Sequence, residues 1–260
     1  MVLTDTHTHL YLNNFVQDRK LVIENAIEND VRYMMLPNID STSIDDMLNL
    51  CDSFPDNCFP MIGLHPGSVN KDYKNEIAIV EKYLTAQKFY AIGEIGIDLY
   101  WDKTFYKEQE IAFSHQIQLA LKYKLPIVVH SRESFDEIIK IINQINNPDL
   151  RGVFHCFTGT LEQAQQVISL GFKIGIGGVV TFKNSGLDKV VKEINLEHIV
   201  LETDSPFLAP VPYRGKRNES SYVFYVAKKI AELKNITIEE VADTTTNNAI
   251  NLFNLINSQT

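Results

Sequence analysis

The chain has 260 residues, 45% of them hydrophobic and 10% aromatic, with 12 Gly and 9 Pro. That excludes intrinsic disorder and collagen-like repeats, and it is enough chain to bury roughly 70–75% of its unfolded surface. Twenty-four Lys and Arg against 33 Asp and Glu leave a formal charge of −9, which argues against broad electrostatic adhesion to nucleic acid or anionic membrane. A cleft whose sign is reversed by metal ions and a few cations stays open.

No window approaches the roughly 18 apolar residues of a spanning helix, and the N-terminus MVLTDTHTHL has neither a basic nor an apolar leader region. A cytoplasmic protein without membrane contact is expected. Cys51, Cys58 and Cys156 are odd in number and lack a CxxC pair, so free thiols are expected.

Short aliphatic runs alternate with longer amphipathic stretches from end to end, the βαβα pattern of a parallel sheet. The runs are Val2–Asp5, Tyr33–Leu36, Phe59–Gly63, Tyr90–Gly93, Ile127–Val129, Gly152–Phe154, Lys173–Ile176 and Ile199–Leu201. Among the helices between them, the clearest spans Phe105–Lys124, where Tyr106, Phe113, Ile117, Ala120 and Leu121 form one apolar stripe. Ser134 to Glu137, Thr160 to Gln163 and Thr237 to Glu240 each fit a capping box that opens a helix.

No linker, low-complexity tract or repeat divides the chain, so residues 1–260 read as one domain. The expected fold is α/β: a single (β/α)8 TIM barrel with an extra C-terminal helix from about Thr237, ending in the polar tail Asn257–Thr260.

Polar residues follow the strands in a pattern. His7 and His9 come after the first, His65 after the third, Glu94 after the fourth, His130 after the fifth, His155 after the sixth, and Glu202 with Asp204 after the eighth. In a parallel barrel these ends share one rim, so groups scattered over the sequence converge on one mouth.

His7 and His9 are two apart and point to the same side of an extended segment, which suits a shared ion, although an isolated His-x-His is also compatible with two polar residues leaving a strand. Glu94, between Gly93 and Gly96, could bridge two ions with its two oxygens or serve as an ion-paired Glu. His130 and His155 are ligands or core histidines satisfied by hydrogen bonds. Asp204 fits a ligand that also takes a proton from water; Glu202 is an outer partner, and Asp98 is either an orienting group or a turn residue. Imidazole with carboxylate suits Zn2+, Mn2+, Fe2+ or Co2+, with Mg2+ less at home.

Cations near the rim are few: Arg132, then Arg214, Lys216 and Arg217 after the eighth strand, where this fold often holds phosphate and where a charged loop can also be merely solvated. Tyr100, Trp101, Phe157 and Tyr213 in rim loops could stack bases or pack locally.

The succession Asp5-Thr-His-Thr-His-Leu, Gly63-Leu-His-Pro66, Gly93-Glu-Ile-Gly-Ile-Asp98, Val129-His-Ser-Arg132, Phe154-His-Cys-Phe-Thr-Gly159, Leu201-Glu-Thr-Asp-Ser-Pro206 and Tyr213-Arg-Gly-Lys-Arg-Asn218 resembles the TatD family of metal-dependent deoxyribonucleases. The resemblance runs through nearly the whole chain. It implies a TIM-barrel amidohydrolase-superfamily enzyme with two divalent ions (Mg, Mn, Zn or Co), His7, His9, Glu94 and Asp204 around one and Glu94, His130 and His155 around the other. It further implies that His65 contacts substrate phosphate and that Arg132 helps to hold it. The family commonly continues with Glu-Pro where this chain has Glu219-Ser220, a departure confined to that loop.

The expected activity is hydrolysis of DNA phosphodiester bonds by water activated by two metal ions. Asp204 takes the proton, Glu94 bridges, and His65 stabilises the developing charge together with Arg132, while Arg214 and Arg217 add substrate contacts. The acidic balance favours single-stranded DNA ends over long duplex, and 3′→5′ polarity follows from the resemblance. A monomer is expected. The rival enzyme reading is hydrolysis of another ester or amide, such as the aminoacyl ester on tRNA. A non-catalytic nucleic-acid-binding protein would call for a basic surface, which the −9 charge opposes.

Overall fold

The structure, a computed structural model, describes residues 1–255; the tail expected at Asn257–Thr260 lies outside the described residues. Eight parallel strands follow in chain order: β1 Leu3–Asp5, β2 Val31–Pro37, β3 Cys58–Met61, β4 Ile92–Asp98, β5 Ile127–Arg132, β6 Gly152–Phe154, β7 Lys173–Ile176 and β8 Ile199–Leu201. Helices separate or follow them: α1 Arg19–Glu28, α2 Ile44–Ser53, α3 Tyr73–Ala86, α4 Tyr106–Tyr123, α5 Phe135–Ile145, α6 Leu161–Ser169, α7 Leu187–Glu193, α8 Val223–Lys234 and α9 Ile238–Phe253.

The strands form two arcs in sequence order, β1 to β3 and β4 to β8. Between β3 and β4, Gly93 N–H donates to the Ile62 carbonyl (2.8 Å) and Ile62 N–H to that of Ala91 (3.1 Å). Between β8 and β1, Thr6 N–H donates to the Leu201 carbonyl (2.9 Å), and a parallel bridge joins Thr8 and Ser205. These bonds close the barrel, which leaves no free sheet edge.

Alternation along the strands sorts the core into two shells. Val128, Val153, Val200, Met35 and Met61 face inward and pack with Ala249, Leu252 and Phe253 of α9. Ile127 and Val129 face outward into the larger shell under the helices, with Ile117 of α4 and Ile138 and Ile142 of α5. The extra helix α9 lies against β1 and β8 and covers the aliphatic floor of the barrel, which would otherwise meet water. The polar groups therefore gather at the other end. His130, two residues beyond inward-facing Val128, stands on the same face nearer the mouth.

Helix α4 carries the expected stripe: Phe113, Ile117 and Ala120 are buried, Tyr106 and Leu121 half-buried. Thr160 closes a reciprocal capping box with Gln163, and the Thr237 hydroxyl accepts from Glu240 N–H. Ser134 departs from expectation, since its hydroxyl donates to the Ile97 carbonyl (2.5 Å) and makes no cap bond, tying the start of α5 to β4 instead.

The fourth strand also differs from its expected bounds, running to Asp98 where the sequence reading ended it at Gly93. Its Glu94-Ile-Gly-Ile-Asp98 text is no continuous aliphatic run, since Ile95 and Ile97 alternate with charged residues and a glycine, yet the glycines let it press against β5. A Cβ on Gly93 would lie 2.5 Å from the Val128 Cβ. Glu94 is consequently held inside a strand, and not at its end.

Candidate metal centre

Beyond β1 the chain stays extended through Thr6-His7-Thr8-His9. Thr8 N–H donates to Met35 (3.1 Å), His9 N–H to Ser205 (2.8 Å), and His7 accepts from Asp204 N–H (2.9 Å). Backbone bonds to both neighbours thus fix the two histidines and tie Asp204 beside them. Their Nε2 atoms lie 3.2 Å apart, close to the roughly 3.3 Å that two imidazole nitrogens span on a tetrahedral ion with bonds of about 2.0–2.1 Å.

The second nitrogen of each ring decides what the first presents. Tyr11 OH donates to the Pro37 carbonyl (2.7 Å) and so accepts from His9 Nδ1 (3.0 Å), leaving the His9 Nε2 lone pair inward. His130 Nε2 donates to Asp98 Oδ2 (2.9 Å), leaving Nδ1 toward Glu94 Oε1 at 2.7 Å. His65 is arranged the other way. Its Nδ1 accepts from Gly67 N–H (2.9 Å), so the neutral ring carries its proton on Nε2, 3.5 Å from Glu94 Oε1, as a donor; with that proton off, the same nitrogen lies within metal-holding reach of Glu94 and His130.

Glu94 stands at the centre, its side chain 3% exposed. Oε2 faces His7 Nε2 (3.2 Å) and His9 Nε2 (3.8 Å); Oε1 faces His155 Nε2 (2.6 Å) and His130 Nδ1 (2.7 Å). Asp204 Oδ1 completes the first group at 3.6 Å from His9 and 3.8 Å from His7. The ligand candidates His7, His9, Glu94, His130, His155 and Asp204 are therefore brought together, with one carboxylate dividing its oxygens between two sets of nitrogens.

Electrostatics agree with a cation-holding site. Burial keeps His7 and His155 below the usual imidazole range and holds His9 at about 3, the neutral form that a metal requires. His130 is the exception: burial opposes its protonation, but its bonds to Asp98 and Glu94 prevail and push it up to about 9, so a metal at Nδ1 would have to displace a proton. Burial pushes Asp204 up to about 7 and Glu202 well above the carboxylate range. A divalent ion among these groups would supply the opposite charge that the buried carboxyls lack, and the donor set of imidazole and carboxylate fits one.

Glu202 lies behind His155, Oε1 at 3.8 Å from Nδ1 and accepting the Cys156 N–H at 2.5 Å. His155 Nδ1, His7 Nδ1 and Glu202 Oε2 have no hydrogen-bond partner among the described residues. Sequence reasoning missed Tyr11, whose signal was its place two residues beyond His9 on an extended segment. Asp98 fills both expected places, Oδ2 accepting from His130 Nε2 and Oδ1 from Tyr100 N–H in a local turn. Replacing Asp98 by Asn is expected to weaken metal affinity about 10- to 100-fold with the fold retained, which isothermal titration with Zn2+ or Mn2+ would measure.

The remaining site residues separate. Arg132 lines the cavity with its guanidinium 3.9 Å from the Tyr100 ring centroid. Arg217 is held in a two-pronged ion pair by Asp18 (2.7 and 2.8 Å) and also bonds Glu219, and Arg214 lies over the Phe182 ring; neither lines the cavity. Phe157 is buried, and Tyr213 stacks on Tyr222. At the Glu219-Ser220 departure, the buried Ser220 hydroxyl donates to Thr8 Oγ1 (3.2 Å), bracing the histidine segment. All three cysteines are free thiols, and among the described residues no helix is long and apolar enough to cross a membrane.

A closed parallel barrel with histidines and carboxylates converging at one mouth points to a class, the metal-dependent hydrolases, and relatives matched over nearly the whole chain are named metal-dependent hydrolases. The sequence profile of TatD related DNases matches residues 4–254, and the chain belongs to this family. It is 39% identical over 255 residues to the uncharacterized metal-dependent hydrolase YabD of Bacillus subtilis (98% of this chain, 100% of YabD). It is 33% identical over 264 residues to the metal-dependent hydrolase YcfH of Escherichia coli K12 (98% and 97%). Among solved structures it is similar to YjjV, a TatD homologue from E. coli K12, with TM-score 0.91 and 29% identity over 97% of this chain and 98% of that one.

Proposed function

We propose that the protein is a two-metal deoxyribonuclease that shortens single-stranded DNA from its 3′ end. The observation that carries this reading is Glu94, whose Oε2 serves the His7, His9 and Asp204 group while Oε1 serves His130 and His155. The first group with Glu94 would hold one ion, and His130 and His155 with Glu94 the other. Two ions would supply Lewis-acid polarisation of the phosphate and offset charge on both the attacking and leaving oxygens.

The chain's own groups do the rest. Asp204, more open than Glu94 (side chain 15% against 3% exposed), reaches the cavity and accepts the proton of the attacking water. His65 directs its Nε2–H at the phosphate oxygens, and Arg132 presents a second donor on the rim. The cavity, about 700 Å3 and lined by His9, His65, Glu94, Arg132, His155 and Asp204 among others, is in the range that encloses one small ligand. With a net charge of −9, that supports entry of a strand end over clamping of duplex.

The test is a time course of metal-stripped protein, resupplied with Mg2+, Mn2+, Co2+ or Zn2+, on single-stranded DNA labelled at its 5′ end. Stepwise shortening that requires metal is expected. No shortening with any of the four would overturn the nuclease reading, and an aminoacyl-ester assay would then be run on the same protein. Saturating metal at about 100 times its Kd should also stabilise the fold by about 2.7 kcal/mol, or roughly 5–11 °C in Tm for a chain of this size. Differential scanning calorimetry with and without chelator reads that shift.

A further inference from the structure

The loop after β4 carries an exposure that its own packing does not explain. Trp101 is the only tryptophan in the chain, it is 76% exposed, and it lines the same cavity as Glu94 and Asp204. It stands edge-on to Tyr100, centroids 4.7 Å apart at 88°. The Arg132 guanidinium covers Tyr100 at 3.9 Å and reaches Trp101 at 5.3 Å. Across the mouth, Phe207 is 51% exposed, and Leu208 and Val179 line the same wall. Large exposed apolar groups at the rim of a charged site call for a ligand with an apolar face.

The aromatic loop is tied directly to the metal centre. Asp98 accepts from His130 Nε2 through Oδ2 and from Tyr100 N–H through Oδ1, both at 2.9 Å. The same carboxylate therefore orients a metal-facing ring and the start of the aromatic loop. Asp98 and Arg132 are also register partners across β4 and β5, so platform, cation and metal centre are set by one strand pair. Stacking occupies the face of the Arg132 guanidinium and leaves its in-plane N–H donors for an anion.

We infer that Trp101 is the stacking platform for an unpaired nucleobase of the substrate, with the adjoining phosphate held by Arg132 at the edge of the metal centre. This rests on the nuclease reading and names how that site takes its substrate. A planar π-ligand matches an indole beside a stacked guanidinium, and an acidic chain with few rim cations needs an uncharged source of affinity. Interior bases of a duplex have both faces covered, so the platform selects single strands and frayed ends.

The lone tryptophan is its own reporter. Emission of metal-loaded protein is read within seconds of mixing with a single-stranded oligonucleotide, and again with one of equal length carrying abasic sugars at its 3′ end. KM and kcat are measured on both, for wild type, Trp101→Ala and Trp101→Phe. Quenching by the base-bearing strand alone is expected. Trp101→Ala should raise KM about 10-fold on that strand with a smaller change in kcat, Trp101→Phe should recover most of the loss, and the abasic strand should leave wild type and Trp101→Ala alike. Shortening of DNA without quenching, and with KM unmoved in Trp101→Ala, overturns the platform and leaves the nuclease standing. Neither quenching nor shortening overturns both. Since Trp101 is exposed, its variants should fold.

Discussion

Replacing Glu94 by Gln is expected to lower kcat/KM at least about 1,000-fold while leaving the far-UV circular dichroism spectrum intact. The amide keeps the shape of the side chain but removes its charge and turns one of two inward oxygens into a nitrogen donor. Oε1 and Oε2 each face nitrogens at 2.6–3.2 Å, so either flip of the amide directs N–H at one group of rings. Charge stabilisation by an active-site metal amounts to several kcal/mol, and each 1.36 kcal/mol is a factor of ten. Bound metal, measured by elemental analysis, should fall in parallel. A Glu94→Gln protein with wild-type turnover and full metal content would remove Glu94 from the centre of the site.

Gly96→Ala should have the largest structural effect. A Cβ there would sit 2.0 Å from the His130 carbonyl oxygen, an atom of the neighbouring strand's backbone, and the residue has φ +150°. Nothing flexible can move aside, so β4 and β5 must part where Gly96 and His130 are register partners. Overpacking typically costs 1–3 kcal/mol, occasionally more; a loss of about 3 kcal/mol is expected, or roughly 6–12 °C in Tm. Because the displaced partner is His130, metal affinity should drop in the same variant. By contrast Gly186→Ala, where no atom lies within 4 Å of the added Cβ, meets only the strain of φ +75°. An unchanged Tm for Gly96→Ala would show that the strands yield there.

The strand positions were largely legible because burial on both faces of a parallel strand demands aliphatic runs, and Gly152–Phe154, Lys173–Ile176 and Ile199–Leu201 coincide with their expected bounds. β5 runs three residues past its expected end, to Arg132, and β4 departs most, because its alternate positions carry Glu94, Gly96 and Asp98, chosen for the site and for close approach and not for hydrophobicity. The convergence of His7, His9, Glu94, His130, His155 and Asp204 was legible too, since in a barrel the strand ends share a rim regardless of their separation in sequence. Ser134 shows the limit: its capping-box pattern was right in spelling, but a carbonyl of β4 outcompeted the local partner.

What the sequence by itself determined is therefore the order of parallel units, the presence of an extra final helix and the identity of the donors at the mouth. These depend on periodicity and covalent order, which are local properties. Only the tertiary structure decided which nitrogen each histidine turns inward, through Tyr11 for His9, Asp98 for His130 and Gly67 for His65. It alone paired Arg217 with Asp18, 199 residues away, and laid Arg132 on Tyr100. The physical reason is that a side chain's role follows from which polar or aromatic partner meets it once the barrel closes, and such partners carry no periodic mark, whether they stand two residues away like Tyr11 and Gly67 or 199 away like Asp18.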